Sequence, residues 1–292
     1  MAGVRIVTDS ACDLNDELAR PLGITVVPLT IRFGDEELVD RRDLSPADFW
    51  DRCKTSAKLP ETAAPSAGAF QRAFEDAADS GASAVACLTL SSGVSATYQA
   101  AVAGAEAVGS RVHVDVVDTR SLTMGQGLLC MAAAELARDG EPLEGIVAAV
   151  HDLIGRTRVL GVVGALDHLE RGGRIGGAAA LVGSLLSIKP VIQVRDGVVE
   201  QESKQRTRRR ALDYLVAKVA ADAPLERLAI CNGAASDIDD VIGRLRSIDV
   251  EHDLVVTDLG PVVGTHSGPE SIGICYEVPP GHEGGPAPAA GR

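Results

Sequence analysis

A chain of 292 residues, 46% of them hydrophobic, is long enough for two α/β domains with sizeable cores. Its 28 Lys and Arg against 41 Asp and Glu leave a net charge of −13, which argues against a general nucleic-acid binder, since that needs a basic face. Aromatic residues make up only 3% of the chain, so stacking platforms for single strands or sugars are not expected.

Residues 4–7 read as a short apolar strand ending in Thr8-Asp9-Ser10. Ligands of open parallel sheets sit at such carboxyl ends, which makes Asp9 and Ser10 candidate pocket residues. The structural alternative is an Asp–Ser pair that holds the following loop. No signal peptide is expected ahead of this strand. A helix capped by Asp13 or Asn15 runs to Arg20 and ends at Pro21-Leu22-Gly23. Residues 24–33 are β-rich, and Gly34-Asp35-Glu36 turns into a second short strand at 37–39. Ser45-Pro46 opens a helix, with serine as cap and proline at the first position. Thr62 lies in an irregular stretch between Pro60 and Pro65, and Ser66 caps a helix through Ala78.

The apolar run 84–90 predicts a buried strand, and the Ala-rich run 96–108 predicts a helix. Between them, Ser91, Ser92, Gly93 and Ser95 form a turn with free N–H groups and hydroxyls at a helix N-terminus. A carboxylate or phosphate suits that place, although Ser92 or Ser95 could simply cap the helix. Residues 112–117 form a strand ending in Asp118-Thr119, and helices follow at 125–138 and 143–156. This alternation predicts a parallel sheet with helices on both faces.

A second α/β unit begins near Thr157. It opens with a strand at 159–163, the turn Gly172-Gly173-Arg174 and a short helix at 178–185. Asp196-Gly197 is a hairpin turn into a strand at 198–203. Helix, strand, helix and two strands complete the unit, the last strand at 272–278. The organisation expected is therefore an N-terminal α/β domain at 1–156, a C-terminal α/β domain at 157–281, and a Gly/Pro/Ala-rich disordered tail at 282–292.

Six cysteines without a close pair point to a reduced, cytoplasmic protein and not to a disulfide frame or zinc site. The scattered histidines give no metal-ligand spacing. No apolar stretch is long and pure enough to span a bilayer, the run 181–194 being broken by Lys189-Pro190, so no membrane span is expected. Gly172 and Gly173 permit a close backbone approach, and Arg174 carries a planar fork suited to a carboxylate or phosphate; an interdomain salt bridge is the alternative. His266, beside Thr265 in a tight turn of small residues, can donate to an anion, act in proton transfer or hold the turn. Lys204-Gln205-Arg206-Thr207-Arg208-Arg209-Arg210 is the one basic cluster, either a solvated helix start or a dock for an acidic partner.

Together these turns resemble the DegV family. The matching pieces stand in family order: Val7-Thr8-Asp9-Ser10, Thr62 with Pro65-Ser66, and Leu90-Ser91-Ser92-Gly93-Val94-Ser95-Ala96-Thr97-Tyr98. Then follow Asp118-Thr119, Leu169-Glu170-Arg171-Gly172-Gly173-Arg174-Ile175, Lys189-Pro190 and Gly264-Thr265-His266-Ser267-Gly268-Pro269. The resemblance implies two α/β domains with mainly parallel sheets and a long-chain fatty acid held between them. It implies that Thr62, Ser92, Arg174 and His266 hold the carboxylate, with Ser91 and Ser95 as neighbours and Asp9, Ser10, Thr265 and Gly173 supporting. It further implies a carrier without cofactor that presents the fatty acid to a separate ATP-dependent kinase, which makes an acyl phosphate for phospholipid synthesis. Where the family commonly has serine and glutamine after the threonine, this chain has Ala63 and Ala64.

Two other readings compete. A phosphotransferase or hydrolase would use His266 with Ser10 or Ser92, by analogy with the similar scaffolds of dihydroxyacetone kinases and sugar phosphotransfer subunits. A dinucleotide-binding fold is disfavoured because the first strand-turn lacks G-x-G-x-x-G.

Overall fold

The computed structural model describes residues 3–56, 58–164, 166–181 and 188–282. Strand β1 (Val4–Asp9) leads through a short turn to helix α1 (Asp16–Ala19), then to strands β2 (Thr25–Val27), β3 (Thr30–Phe33) and β4 (Glu36–Val39). Helix α2 (Pro46–Thr55), strand β5 (Glu61–Ala63), helix α3 (Ala67–Asp79), strand β6 (Ala84–Thr89) and helix α4 (Thr97–Val108) come next. Strand β7 (His113–Asp118) and helices α5 (Met124–Arg138) and α6 (Leu143–Arg156) close the first half. The second half runs β8 (Thr157–Val162), α7 (Leu166–Arg171), β9 (Lys189–Arg195), β10 (Val198–Gln205) and α8 (Arg208–Ala221). It ends with β11 (Arg227–Gly233), α9 (Ile238–Leu245), β12 (Val255–Asp258), α10 (Pro261–Ser267) and β13 (Ser271–Glu277).

The first sheet, in the order β2-β1-β6-β7, is parallel throughout. Its strands alternate between two cores, as the pleat demands. Val7, Val85 and Cys87 face Phe70, Phe74 and Ala101 of α3 and α4. Ile6, Ala86 and Leu88 face Leu128, Leu129 and Ile146 of α5 and α6. A small antiparallel sheet, β4-β3-β5, stands beside it. Pro28, which has no N–H to donate, falls between β2 and β3, where the β-rich run divides between two sheets.

The second sheet has the order β10-β9-β8-β13-β11-β12, and only β11 and β12 pair in parallel. The expectation of mainly parallel sheets is thus met in the first half and corrected in the second. Parallel neighbours need a crossover of a dozen or more residues. The Asp196-Gly197 turn, with both φ values positive, instead folds β10 straight back on β9. Likewise α10, at seven residues, is too short to return along a strand before β13 begins. The expected helix at 178–185 is a 3-10 turn over Gly176–Leu181, and its remainder lies outside the described residues, as do residues 283–292 of the expected tail. Among the described residues, no helix is long and apolar enough to cross a membrane.

Helix α5 joins the two halves. It is buried on nearly every side from Met124 to Ala134, which is the condition of a helix with packed neighbours all round. Its core cluster takes in Ile6 and Leu88 of the first sheet together with Val159, Ala229, Cys231 and Cys275 of the second. The closeness rests on glycine. A Cβ at Gly125 would overlap Val159 Cγ2 and Ser121 Oγ, and one at Gly127 would lie 2.8 Å from the Cys12 carbonyl oxygen. Gly125→Ala should therefore lower stability by about 1–3 kcal/mol in urea unfolding, as overpacking does. Gly243→Ala, on the exposed face of α9 with nothing within 4 Å, should raise it slightly in the same measurement.

Candidate functional site

A cavity of about 200 Å³ lies between the second sheet and the loops of the first half. Its walls are apolar: Val159 and Val163 on one side, Leu90, Val94 and Leu122 on the other, and Val262 of α10 at one end. A second cavity of about 290 Å³, with Glu61, His168 and Arg171 on its wall, shares Thr62, Arg174 and His266 with the first. Those three side chains therefore stand where the apolar space gives way to a polar one.

Thr62 reaches that place from an edge strand. The irregular stretch expected around it is strand β5, paired with β3 so that Thr62 stands opposite Ile31. Alternation turns Thr62 inward between exposed Glu61 and Ala63. Its Oγ1 lies 3.0 Å from Nε2 of His266. His266 is on the last turn of helix α10, not in the tight turn expected of Gly264-Thr265-His266-Ser267-Gly268. Pro261 at the first helical position and Gly268 at φ 78 set the ends of this helix. Gly264 lets it pack on α2, since a Cβ there would come within 2.9 Å of Phe49 and Trp50. Thr265 supports from behind, its hydroxyl donating to the Pro261 carbonyl and its own carbonyl meeting Nδ1 of His168 at 3.1 Å.

A helix C-terminus favours a protonated histidine. At His266 burial, followed by the nearby Arg174 and His168, outweighs that dipole and holds the pKa down to about 4. The imidazole is consequently neutral at pH 7, with Nδ1 buried and unpartnered. Arg174 points its Nε at the Val94 carbonyl oxygen (3.2 Å) and one terminal nitrogen at that of Gly172 (2.6 Å). Among the described residues it forms no ion pair, and its half-buried positive charge faces the site. Gly172 is needed for clearance, because a Cβ there would overlap Nδ1 of His266. Gly173 follows with φ 68, a left-handed turn residue.

The serine turn divides its hydroxyls. Ser95 lines the cavity and shares a hydrogen bond with Thr97 (2.9 Å). Ser91 and Ser92 do not line it. Ser91 Oγ donates to the Gly197 carbonyl (2.6 Å), and Ser92 Oγ donates to the carboxylate of Asp118, whose other oxygen accepts from Ser92 N at 3.1 Å. The charged acceptor at the end of β7 claims the Ser92 hydroxyl. Asp9 also lies apart from the cavity wall, fully buried, accepting from Ala11 N (3.0 Å), Leu90 N (2.8 Å) and Gln126 Nε2 (3.0 Å). Desolvation exceeds those three bonds and raises its pKa to about 6. Ser10 accepts from Leu29 N at 3.0 Å. Neither Ser10 nor Ser92 reaches His266, whose partner is Thr62, so the histidine–serine pair of a hydrolase or phosphotransferase does not form.

In the basic cluster, Arg208 donates Nε and one terminal nitrogen to the two carboxylate oxygens of Asp237, each at 2.7 Å, and is a structural tie. The apolar walls were invisible in the sequence as functional residues, because Val159 or Val262 reads as core whether it faces a side chain or a space. Gly172 carried the better signal, a glycine pair beside a lone arginine.

The model of the DegV family, described as an uncharacterised protein family, matches residues 3–278. A DegV domain-containing protein of Halalkalibacterium halodurans is 34% identical over 286 residues, covering 95% of this chain and 99% of that one. Among solved structures, a DegV family protein from Thermus thermophilus, described by its fatty acid binding, is similar with a TM-score of 0.85 at 31% identity, over 95% of this chain and 100% of the other. A stearic acid-binding protein from Eubacterium ventriosum reaches a TM-score of 0.86 at 27% identity, over 94% and 98%.

The His266 environment sets a pH dependence. A pKa held below that of the unfolded chain favours unfolding wherever the unfolded state binds the extra proton. The stability contributed by neutral His266 is thus complete above about pH 6.5 and lost as pH falls toward about 4. The raised pKa of Asp9 acts in the opposite direction, so the comparison must be with His266→Gln. The difference in melting temperature, wild type minus variant, should shrink steadily across that window.

Proposed function

The chain belongs to the DegV family, and we propose that it binds a long-chain fatty acid in the apolar cavity, with the carboxylate at Thr62, Ser95, Arg174 and His266. The observation that carries this reading is Arg174, without an ion pair among the described residues, beside a neutral His266 at the mouth of an apolar space. A buried carboxylate without a cation would protonate or be excluded, and Arg174 supplies that cation. Ser95 offers one hydroxyl donor, and the Thr62–His266 pair offers a second: the Thr62 hydroxyl when Nε2 carries the imidazole proton, or Nδ1–H, free of protein partners, when Nε2 accepts from Thr62. Ser91 and Ser92 serve indirectly, by holding the turn to Gly197 and Asp118, while Asp9 fixes its base at Leu90, Ser10 holds Leu29 of the cavity wall, and Thr265 and Gly173 support the far side. Each buried methylene contributes about 0.8 kcal/mol, so the tail provides most of the affinity and the head group provides orientation. The binding described for the Thermus thermophilus protein and the stearic acid of the Eubacterium ventriosum protein support the ligand class.

This protein acts as a carrier that needs no cofactor of its own. It presents the carboxylate to a separate fatty acid kinase, which transfers the terminal phosphoryl group of ATP to a carboxylate oxygen and releases ADP. The acyl phosphate so formed enters phospholipid synthesis. The family resemblance supports the kinase step.

Mass spectrometry of an organic extract of freshly purified protein should find about one fatty acid per chain. Thr62→Val and His266→Gln should each retain clearly less while still unfolding in a single cooperative transition at pH 7.5. A wild-type protein that carries no fatty acid, even after incubation with a mixture, would remove this reading. The division of labour has its own test, because hydroxylamine converts acyl phosphates to hydroxamates. Lipid-loaded protein with ATP alone should give none, and adding the cognate kinase should give a stoichiometric yield; hydroxamate without the kinase would place catalysis in this chain.

A further inference from the structure

The two central strands of the second sheet each carry an interior glycine, and the register sets Gly161 of β8 opposite Gly273 of β13. Glycine inside a strand destabilises it relative to alanine, so such a position usually answers to a bulge, a left-handed backbone, a close neighbour or a bound ligand. The first three fail at Gly273. The β8–β13 ladder is continuous from Glu277 to Ile272, and Gly273 does not have a positive φ. A Cβ added there would meet nothing nearer than Cys231 Cβ at 3.7 Å, an ordinary contact. Gly161 is tighter, its added Cβ lying 3.3 Å from the Ile272 carbonyl oxygen.

What remains for Gly273 is the space in front of it, which Gly161 shares. Both glycines line the apolar cavity. Alternation puts them on the face of Val159 and Cys275, the face turned toward α5. Gly273 is also the one residue of β13 that is not fully buried, in the centre of a sheet covered on both sides.

We propose that Gly161 and Gly273 form a slot in the cavity wall that receives the hydrocarbon chain and fixes which acyl lengths fit. This inference rests on the fatty-acid reading above. A side chain at either position takes space that the acyl chain occupies against bare backbone. Each methylene displaced from the cavity weakens binding about fourfold.

The test compares wild type, Gly273→Ala, Gly273→Val and the control Gly243→Ala. Each is loaded from an equimolar series of saturated fatty acids, and the bound chains are quantified by mass spectrometry. Gly273→Ala should shift the profile toward shorter chains by about fourfold for each methylene displaced. Gly273→Val should shift it further, and Gly243→Ala should match wild type. A second readout is independent of loading: in delipidated protein Gly273→Ala should melt no lower than wild type, because the glycine serves the ligand and not the strand. The alanine variant decides the matter if the valine variant fails to fold. An unchanged profile in folded Gly273→Ala, beside a loaded wild type, overturns the slot alone. A wild type that takes up no fatty acid overturns the slot and the underlying reading together.

Discussion

A helix with no solvent-facing side for most of its length sets the terms for this molecule. Helix α5 is wedged between a parallel and a mainly antiparallel sheet, and its glycines at 125 and 127 allow contact with backbone and side chains on both sides. Gln126 between them donates to Thr8 Oγ1 (2.9 Å) and to Asp9, so the same turn of helix that touches the second sheet also holds the end of β1. Asp9 passes that hold to Leu90 N, where the serine turn begins. The turn is then fixed to the hairpin of the other half through Ser91 and Gly197, with Gly93 so close that an added Cβ would lie 2.7 Å from the Gly197 carbonyl oxygen. The cavity occupies the gap that these contacts leave at the N-terminal end of α5, between Leu122 and the strands of the second sheet.

The polar end of the cavity balances opposing demands. Two neighbouring cations in a buried place would repel one another, and the structure avoids this by keeping His266 neutral beside Arg174. One fixed positive charge is enough to match one carboxylate, and neutral donors complete its hydrogen bonds without overcompensating. The guanidinium keeps a defined direction because the Val94 and Gly172 carbonyl oxygens hold it. Those carbonyls belong to the serine turn and the glycine pair, which explains physically why these separated motifs occur together in one chain.

Much of this could be read from residues alone, where the signal is local. The parallel first sheet followed from strand–helix alternation, and the hairpin at Asp196-Gly197 from its turn chemistry. Arg174, Thr62, Ser95 and His266, picked from four distant segments, all line one cavity. What escaped depends on partners distant in sequence. Thr62 pairs as a strand only because β3 offers an edge, and Gly264-Thr265-His266 is helical only because Phe49 and Trp50 pack on it. The antiparallel second sheet reflects the brevity of α10, whose Gly264, with Gly260 and Gly268 at its ends, disguised its being a helix at all. Ser92 turned aside because of Asp118, an acceptor 26 residues away.

Thr62 and His266, in contact across the site, are 204 residues apart in the chain. A ribosome adding about 5–20 residues per second makes the second of these roughly 10–40 s after the first. During that interval the parallel sheet and the serine turn can form, yet the threonine has no imidazole beside it and the apolar space has no second wall. The cavity gains that second wall only once α10 and β13 have joined the fold, so the C-terminal elements close a space that the N-terminal half has already framed.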